Sequence, residues 1–289
     1  MLNSPIFYMG NKKRLIEKGL INLFPRDINT FVDLFTGGGI VSMNVKADNY
    51  IMNDINPTVI DLLCLFKYKT ADEIINYIES TIKKFGLLKG FNKRDKTETE
   101  EYKELAKEKY ILFRKYYNDN KNILDLYILS YYCNNNNIRF NKSDEFNMPI
   151  GNQYFNKEKH SQKIIDGCNF LSQDNVNLYN ADFRQLKIST LSKNDFVYLD
   201  PPYFNTLAIY NEQQGWGVND DLELFKFCDE LNKNHIRFAL SNVFINKGKE
   251  NTHLIEWAKK YKVHHFKDFT YVSCGKGNAQ TDEVLIYNY

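Results

Sequence analysis

The sequence predicts an α/β protein, and three observations carry that prediction. Short β-rich apolar runs stand at 31–35, at 49–54 and repeatedly from about 170 onward. Amphipathic helical patterns separate them. The connections between early strands are short enough to demand parallel pairing through helical crossovers. With 289 residues, 43% of them hydrophobic, the chain can build one large domain or a core domain carrying an insertion.

Taken in order, FVDLF at 31–35 followed by TGGG and IVSMNV reads as strand, glycine turn and helix. NYIMNDIN at 49–56 reads as a second strand ending at Asp54, with Pro57 opening the next helix. Residues 58–132 change character: VIDLLCLFKY, DEIINYIESTIKKFGLL, EEYKELAKEKYILFRKYY and ILDLYILSYYC all carry helical periodicity. NNNNIRFNKSDEFNMPIGNQY at 134–154 predicts a β-hairpin or a long polar loop, because NKSDE supplies turn chemistry between IRF and FNMPI. The strand pattern then resumes. VNLYNADF ends at Asp182, DFVYLDPPY follows, DLELFKFCDELNKN is a helix, IRFALSN a strand, NTHLIEWAKKY a helix, and KVHHFKDF and DEVLIYNY are the last strands. The expected organisation is one sheet domain from 1–57 and 166–289, with 58–165 inserted.

Bulk properties narrow the class. Mean hydropathy is −0.51 and no apolar run is long enough to span a membrane. MLNSPIFYMGNKKRL lacks the apolar core and cleavage site of a signal peptide, so a cytoplasmic protein is expected. Cys64, Cys133, Cys168, Cys228 and Cys274 are odd in number, widely spaced and form no C-x-x-C pair. Neither a disulfide framework nor a metal site is suggested. The net charge of +2 neither demands nor excludes nucleic acid. Basic residues gather at 12–18 and 83–115, the latter shared with many Glu, as on a solvated helical face.

Two motifs carry chemistry. A glycine turn after a first strand lets a ligand approach the backbone, and an acid about twenty residues on, here Asp54, typically grips ribose hydroxyls. Ser42 stands where a third glycine would fall in a dinucleotide fingerprint. A mononucleoside-like ligand therefore fits better than a pyrophosphate, which counts against a nicotinamide oxidoreductase. The second motif is Asp200-Pro201-Pro202-Tyr203 at the tip of a strand. An aromatic exocyclic amine is a poor nucleophile because its lone pair is delocalised. The Asp200 carboxylate accepting one N–H and the Pro201 carbonyl accepting the other would favour a tetrahedral nitrogen, while Tyr203 offers a stacking face.

FYMGNKKRL, FVDLFTGGG, NDIN, EFNMPIG, ADF, DPPYF, ALSN and TDEVLIYNY occur in an order that resembles the Dam-like (D12 class) DNA adenine-N6 methyltransferases over nearly the whole chain. The resemblance implies a Rossmann-like sheet of seven strands with an inserted helical and β-hairpin DNA-recognition region. It implies S-adenosyl-L-methionine (SAM) as methyl donor and base flipping in double-stranded DNA. By resemblance, Tyr8 and Lys12 line the cofactor and base pockets, and Asp33, Phe35, Gly37 and Gly39 surround the methionine end. Asp54 matches the ribose acid, and Asp182 and Phe183 match the pair holding the cofactor adenine. Asp200, Pro201, Pro202 and Tyr203 match the catalytic tetrapeptide. Arg139 matches the arginine of the family's hairpin, with Asn137, Asn141 and Lys142 beside it as further DNA contacts. KSDEFN departs from the KGEFN that the family often carries, and a GATC-like target is expected. Met148 and Pro149 are candidates for a wedge in the duplex or for turn packing. Asn211 and Trp216 belong to a loop expected to order around the flipped base, and Lys276 is a candidate phosphate contact. Such an enzyme is expected as a monomer, with a cognate restriction endonuclease as a possible partner in a restriction system. Alternatives are a cytosine-N4 enzyme, which typically has Ser in place of Asp200, methylation of RNA or of a protein amide, and an inactive nucleic-acid-binding module.

Overall fold

Four short strands form the parallel part of a sheet: β1 (Thr30–Asp33), β2 (Asn49–Asn53), β3 (Val176–Tyr179) and β4 (Phe196–Leu199). β5 (Arg237–Asn246) adds in parallel beside β4, and β6 (Lys249–Glu250) pairs with its end. β7 (Lys262–Phe266) and β8 (Asp282–Tyr287) complete the sheet antiparallel, in the order β3-β2-β1-β4-β5-β8-β7. All four residues of β4, FVYL, are buried, as a central parallel strand requires. Among the described residues the sheet thus has the seven expected strands and a two-residue eighth. The computed structural model describes residues 1–91, 99–203, 216–246, 248–266 and 281–289. Asn211, Cys274 and Lys276 lie outside the described residues.

Chain order reverses between β1 and β4. β1 leads to β2 and β3 on one side, whereas β4 leads to β5 on the other. In open parallel sheets the crevice at such a switch point, beyond the C-terminal strand ends, is where ligands bind. Register places Asp33 opposite Tyr198, so Asp200 follows two residues past that pairing on the neighbouring strand. One face of the sheet, with Val32, Val197, Leu199, Phe238 and Leu240, is covered by α7 (Val218–Lys233) and α8 (Thr252–Ala258). On the other face Phe24 packs against Phe31, Phe196 and Tyr198. The short helix α1 (Lys13–Glu17) precedes this core.

The helix predicted after the glycine turn is a single 3-10 turn, Ser42–Asn44. β-branched Ile40 and Val41 are buried beneath the turn, and the Ser42 hydroxyl is committed to Asp33 at 2.7 Å. Side-chain packing and this bond hold the segment in place of a continuing helix.

The chain divides into two compact units, Lys12–Pro57 with Asp174–Tyr289, and Met1–Asn11 with Thr58–Gln173. The second contains α2 (Pro57–Tyr68) from Thr58 on, α3 (Ala71–Phe85), α4 (Glu100–Asn120), α5 (Ile123–Tyr132) and α6 (Lys157–Leu171). It is larger than the expected 58–165 insert for physical reasons. α6 runs unbroken to Leu171, and the Tyr127 hydroxyl binds the Pro5 carbonyl at 2.9 Å. Gly167 belongs to the same contact: a Cβ there would meet the Pro5 ring at 2.7 Å. Helix starts follow local chemistry. Thr70 and Glu73 form a capping box on α3, and Thr99, Asn122 and Asn156 cap α4, α5 and α6.

The expected hairpin is a loop pinned by two isolated antiparallel bridges, Cys133 to Ile150 and Phe140 to Phe146. Asn135, Asn136 and Asp144 hold positive φ, which Asn and Asp tolerate better than other side-chain-bearing residues. Part of the Asn run is thus a backbone requirement. Among the described residues no helix is long and apolar enough to cross a membrane.

Candidate active site

In the sheet unit, the carboxylates beyond the C-terminal strand ends sit in four different environments. Asp33 ends β1 at 1% exposure. Its Oδ2 accepts from Ser42 Oγ at 2.7 Å and Thr36 Oγ1 at 3.2 Å, while Oδ1 is buried without a hydrogen-bond partner among the described residues. Burial pushes its carboxyl up to about 7, against the pull of the Ser42 hydroxyl and helped by the charge of Asp200.

Asp54 follows β2 and holds the glycine turn. Its Oδ2 accepts the Gly37 N–H and its Oδ1 the Asn56 N–H, both at 2.9 Å. Burial raises its pKa, opposed by these two backbone donors. Gly37 (φ 48) and Gly39 (φ 74) adopt the left-handed region that favours glycine. Asn53 stitches the neighbouring ends together: Nδ2 donates to the Leu34 and Ala181 carbonyls, and Oδ1 accepts from the Ala181 N–H. The sequence reading missed Asn53, Thr36 and Ser42 as parts of the site. Their only signal was their place beside the turn.

Asp182 caps the 3-10 turn Phe183–Gln185 through the Arg184 N–H at 2.8 Å. Arg184 spans three acids, donating to Asp182 at 2.7 Å, to Asp220 at 2.6 Å and to Glu223. Phe183 is buried against Phe35 and Trp216, with ring centroids at 5.6 and 6.0 Å. Trp216 is anchored by its indole N–H on Asp221 at 2.7 Å.

Asp200 lies just past β4, and its partner is Lys12. The ammonium is 2.8 Å from Asp200 Oδ1 and 4.8 Å from the centre of the Tyr203 ring, with side-chain exposures of 9% for Lys12 and 14% for Asp200. Burial works against the Lys12 ammonium, yet the adjacent carboxylate outweighs it and holds Lys12 above the ordinary lysine range. For Asp200, burial pushes the carboxyl up to about 6, restrained by the charge and hydrogen bond of Lys12. The pair is ionised at neutral pH. It brings together two residues 188 positions apart, one from the N-terminal element and one from the tetrapeptide. Pro201 is buried, and Pro202 and Tyr203 are half-buried.

The remaining candidates lie in the helical unit. Tyr8 is 40% exposed. Arg139 is half-buried, and its Nε donates to Asn147 Oδ1 at 3.1 Å. Lys142 is exposed. The Asn137 carbonyl accepts from the Cys133 thiol at 3.2 Å. Asn141 is committed to its own turn, accepting from the Ser143 and Glu145 N–H groups and donating to the Glu145 carboxylate. Such a side chain shapes the loop tip and has little left for a base edge. Met148 is 6% exposed, so it is core and not a wedge. Pro149 is exposed.

The pattern of the D12 class N6 adenine-specific DNA methyltransferases matches residues 8–271. The chain belongs to this family. It is 36% identical to the type II methyltransferase M.FokI of Planomicrobium okeanokoites and 37% identical to the modification methylase StsI of Streptococcus sanguinis. Both matches cover 100% of this chain and 43% of the relative, so the chain spans under half the length of these two relatives. The type II methyltransferase M.MjaIII of Methanocaldococcus jannaschii is 27% identical over 98% of this chain and 97% of its own length.

Proposed function

We propose that this chain transfers a methyl group from SAM to the N6 amine of adenine in a specific duplex DNA sequence, with the target base flipped out. The observation that carries the reading is the buried Lys12–Asp200 pair beside Tyr203, at the end of the strand next to the glycine turn, in a member of the D12 class.

The residues fit SAM. The amino-acid end of that cofactor carries an ammonium, and the buried Asp33 Oδ1, which lacks a partner among the described residues, suits it as an acceptor. The glycine turn admits a ligand close to the backbone, Asp54 is the acid for the ribose, and Asp182 with Phe183 takes the adenine. Tyr8 completes the cofactor-binding set. When bound, SAM supplies an electrophilic methyl carbon.

The chain's own work is alignment. The Asp200 carboxylate accepts one N6 hydrogen and the Pro201 carbonyl the other. The nitrogen is thereby biased toward a nucleophilic, tetrahedral geometry, and Asp200 stabilises the positive charge that develops on it. Pro202 fixes the turn that presents Tyr203. Stacking on Tyr203 is worth about 1–3 kcal/mol, against a few kcal/mol for extruding the base. Lys12 keeps Asp200 in the carboxylate form that this role requires.

Duplex DNA is read by the helical unit's loop. Arg139 suits guanine, Asn137 and Lys142 supply further contacts, and Asn141 shapes the tip. The base-reading side chains of this proposal all belong to that one loop, while the catalytic unit is the Lys12–Pro57 and Asp174–Tyr289 body. A cognate restriction endonuclease is part of this reading, since relatives carry the name modification methylase. The test is incubation of the chain with labelled SAM and mixed duplexes, followed by mapping of modified bases. Label on adenine N6 in one sequence context supports the proposal, and that context decides whether the target is GATC-like. Label on cytosine, or none on any duplex, refutes it.

A further inference from the structure

Within the helical unit, the loop carrying Arg139 is held by its backbone from one face of α4. The Tyr110 hydroxyl and Arg114 Nη1 both donate to the Met148 carbonyl, at 2.9 and 3.0 Å. Asn118 brackets Phe146, accepting from its N–H at 2.8 Å and donating to its carbonyl at 3.1 Å. These three side chains recur every four residues, one turn apart on a single helical face. Asn147 lies between the two clamped residues. Its Oδ1 accepts from Arg139 Nε at 3.1 Å, and its N–H donates to the Arg139 carbonyl at 3.3 Å.

We propose that Asn147 is a specificity-positioning residue that aims the Arg139 guanidinium at a guanine in the DNA target. A guanidinium is planar and rigid, so fixing Nε on an immobile acceptor fixes the plane of the whole group. The Nη1–Nη2 end is the edge not engaged by Asn147, and it matches the O6 and N7 acceptors of guanine in the major groove. The acceptor is immobile because α4 holds the backbone on both sides of it. The reader is therefore oriented before DNA arrives, which spares the ordering cost of a long side chain on binding. This inference rests on the reading of Arg139 as a base contact.

The test is selection of bound duplexes from a randomised pool by the whole chain, which needs no turnover. Wild type, Arg139→Ala, Asn147→Leu, Asn147→Asp and the double variant Arg139→Ala/Asn147→Leu are compared, with thermal melting as the folding control. Asn147→Leu is expected to weaken preference at one base pair about tenfold, within what one bidentate base contact discriminates. That base pair is the one at which Arg139→Ala loses preference. Asn147→Asp, which keeps an acceptor oxygen, is expected to retain it. The double variant is expected to behave as Arg139→Ala alone, which a merely structural role for Asn147 would not produce. Should Asn147→Leu fail to fold, Asn147→Ala takes its place. If Arg139→Ala erases the preference while the acceptor-less variant keeps it, or if Asn147→Asp loses as much as that variant, the positioning role is overturned and the base contact stands. A flat wild-type profile, or an Arg139→Ala profile equal to wild type, overturns the base contact itself and the positioning role with it.

Discussion

Replacing Lys12 by Met removes the countercharge of Asp200 while keeping an unbranched apolar stem in the same space. The two charges are 2.8 Å apart and nearly excluded from water. At an effective dielectric of about 20 their attraction is roughly 6 kcal/mol, and if relaxation returns half of it, about 3 kcal/mol remains. That loss is worth about 2 pKa units. The Asp200 carboxyl, already raised to about 6, would then titrate near roughly 8. The sign is fixed by the charge type: a raised carboxyl is a carboxylate only above its new pKa. At pH 7.5 nearly all of the wild-type group is ionised, against roughly a quarter in Lys12→Met. The assay is single-turnover methyl transfer at saturating SAM and DNA across about pH 5.5 to 9.5. The expected wild-type profile falls through pH 6 on the acid side. The variant's acid limb is displaced about 2 units upward, so its deficit shrinks as pH rises. A Lys12→Met profile with its midpoint where wild type has it, at whatever absolute rate, refutes the role assigned to the pair.

Asp200→Ala removes the acceptor and is expected to lower single-turnover transfer at least about 100-fold, with SAM affinity within several-fold of wild type by calorimetry. Equal loss of both would point to a collapsed turn. Asp33→Asn is expected to weaken SAM binding while stabilising the fold. With the native carboxyl near 7 against an ordinary 3.8, ionisation costs stability increasingly as pH rises between those values. The variant should therefore gain more in urea melts at pH 8 than at pH 5, by roughly 3 kcal/mol at most, and a smaller gain at pH 8 counts against the buried charge. Asn118→Leu strips the Phe146 backbone of both its side-chain partners. A loss of about 1–2 kcal/mol in denaturant stability is expected, because Asn118 is half-buried and water replaces part of what is removed.

What was legible in the sequence was whatever a short window contains. FVYL, flanked by turn residues, announces a buried strand, and the structure buries all four residues. DEIINYIESTIKKFGLL announces a helix by its periodicity, and Ala71–Phe85 is one. The helix Lys157–Leu171 was not singled out, because its buried positions are few and interrupted by polar residues. The helix expected after the glycine turn is absent because a long-range demand won: Ser42 serves Asp33, nine positions earlier, in place of a helical turn. The hairpin is limited to two bridges, and α4 side chains take up the Phe146 and Met148 backbone groups in place of further cross-strand partners. The Lys12–Asp200 pair was out of reach for a different reason. Each residue was noticed for its own motif, but only the fold sets them at 2.8 Å.

On the reading proposed above, that pair explains how one residue type performs separate tasks at neighbouring strand ends. Asp33, Asp54 and Asp200 are all buried, and burial alone would push every one toward the neutral form. What separates them is the partner. Two hydroxyls leave Asp33 near neutrality with one oxygen that has no donor among the described residues, which suits the proposed recognition of a cation. Two backbone N–H groups turn Asp54 into a clasp on the glycine turn, one donor on each oxygen. A full ammonium beside it keeps Asp200 ionised. On the proposed reading an acceptor for an amine must be charged, and of these three carboxylates only Asp200 has an ammonium beside it among the described residues.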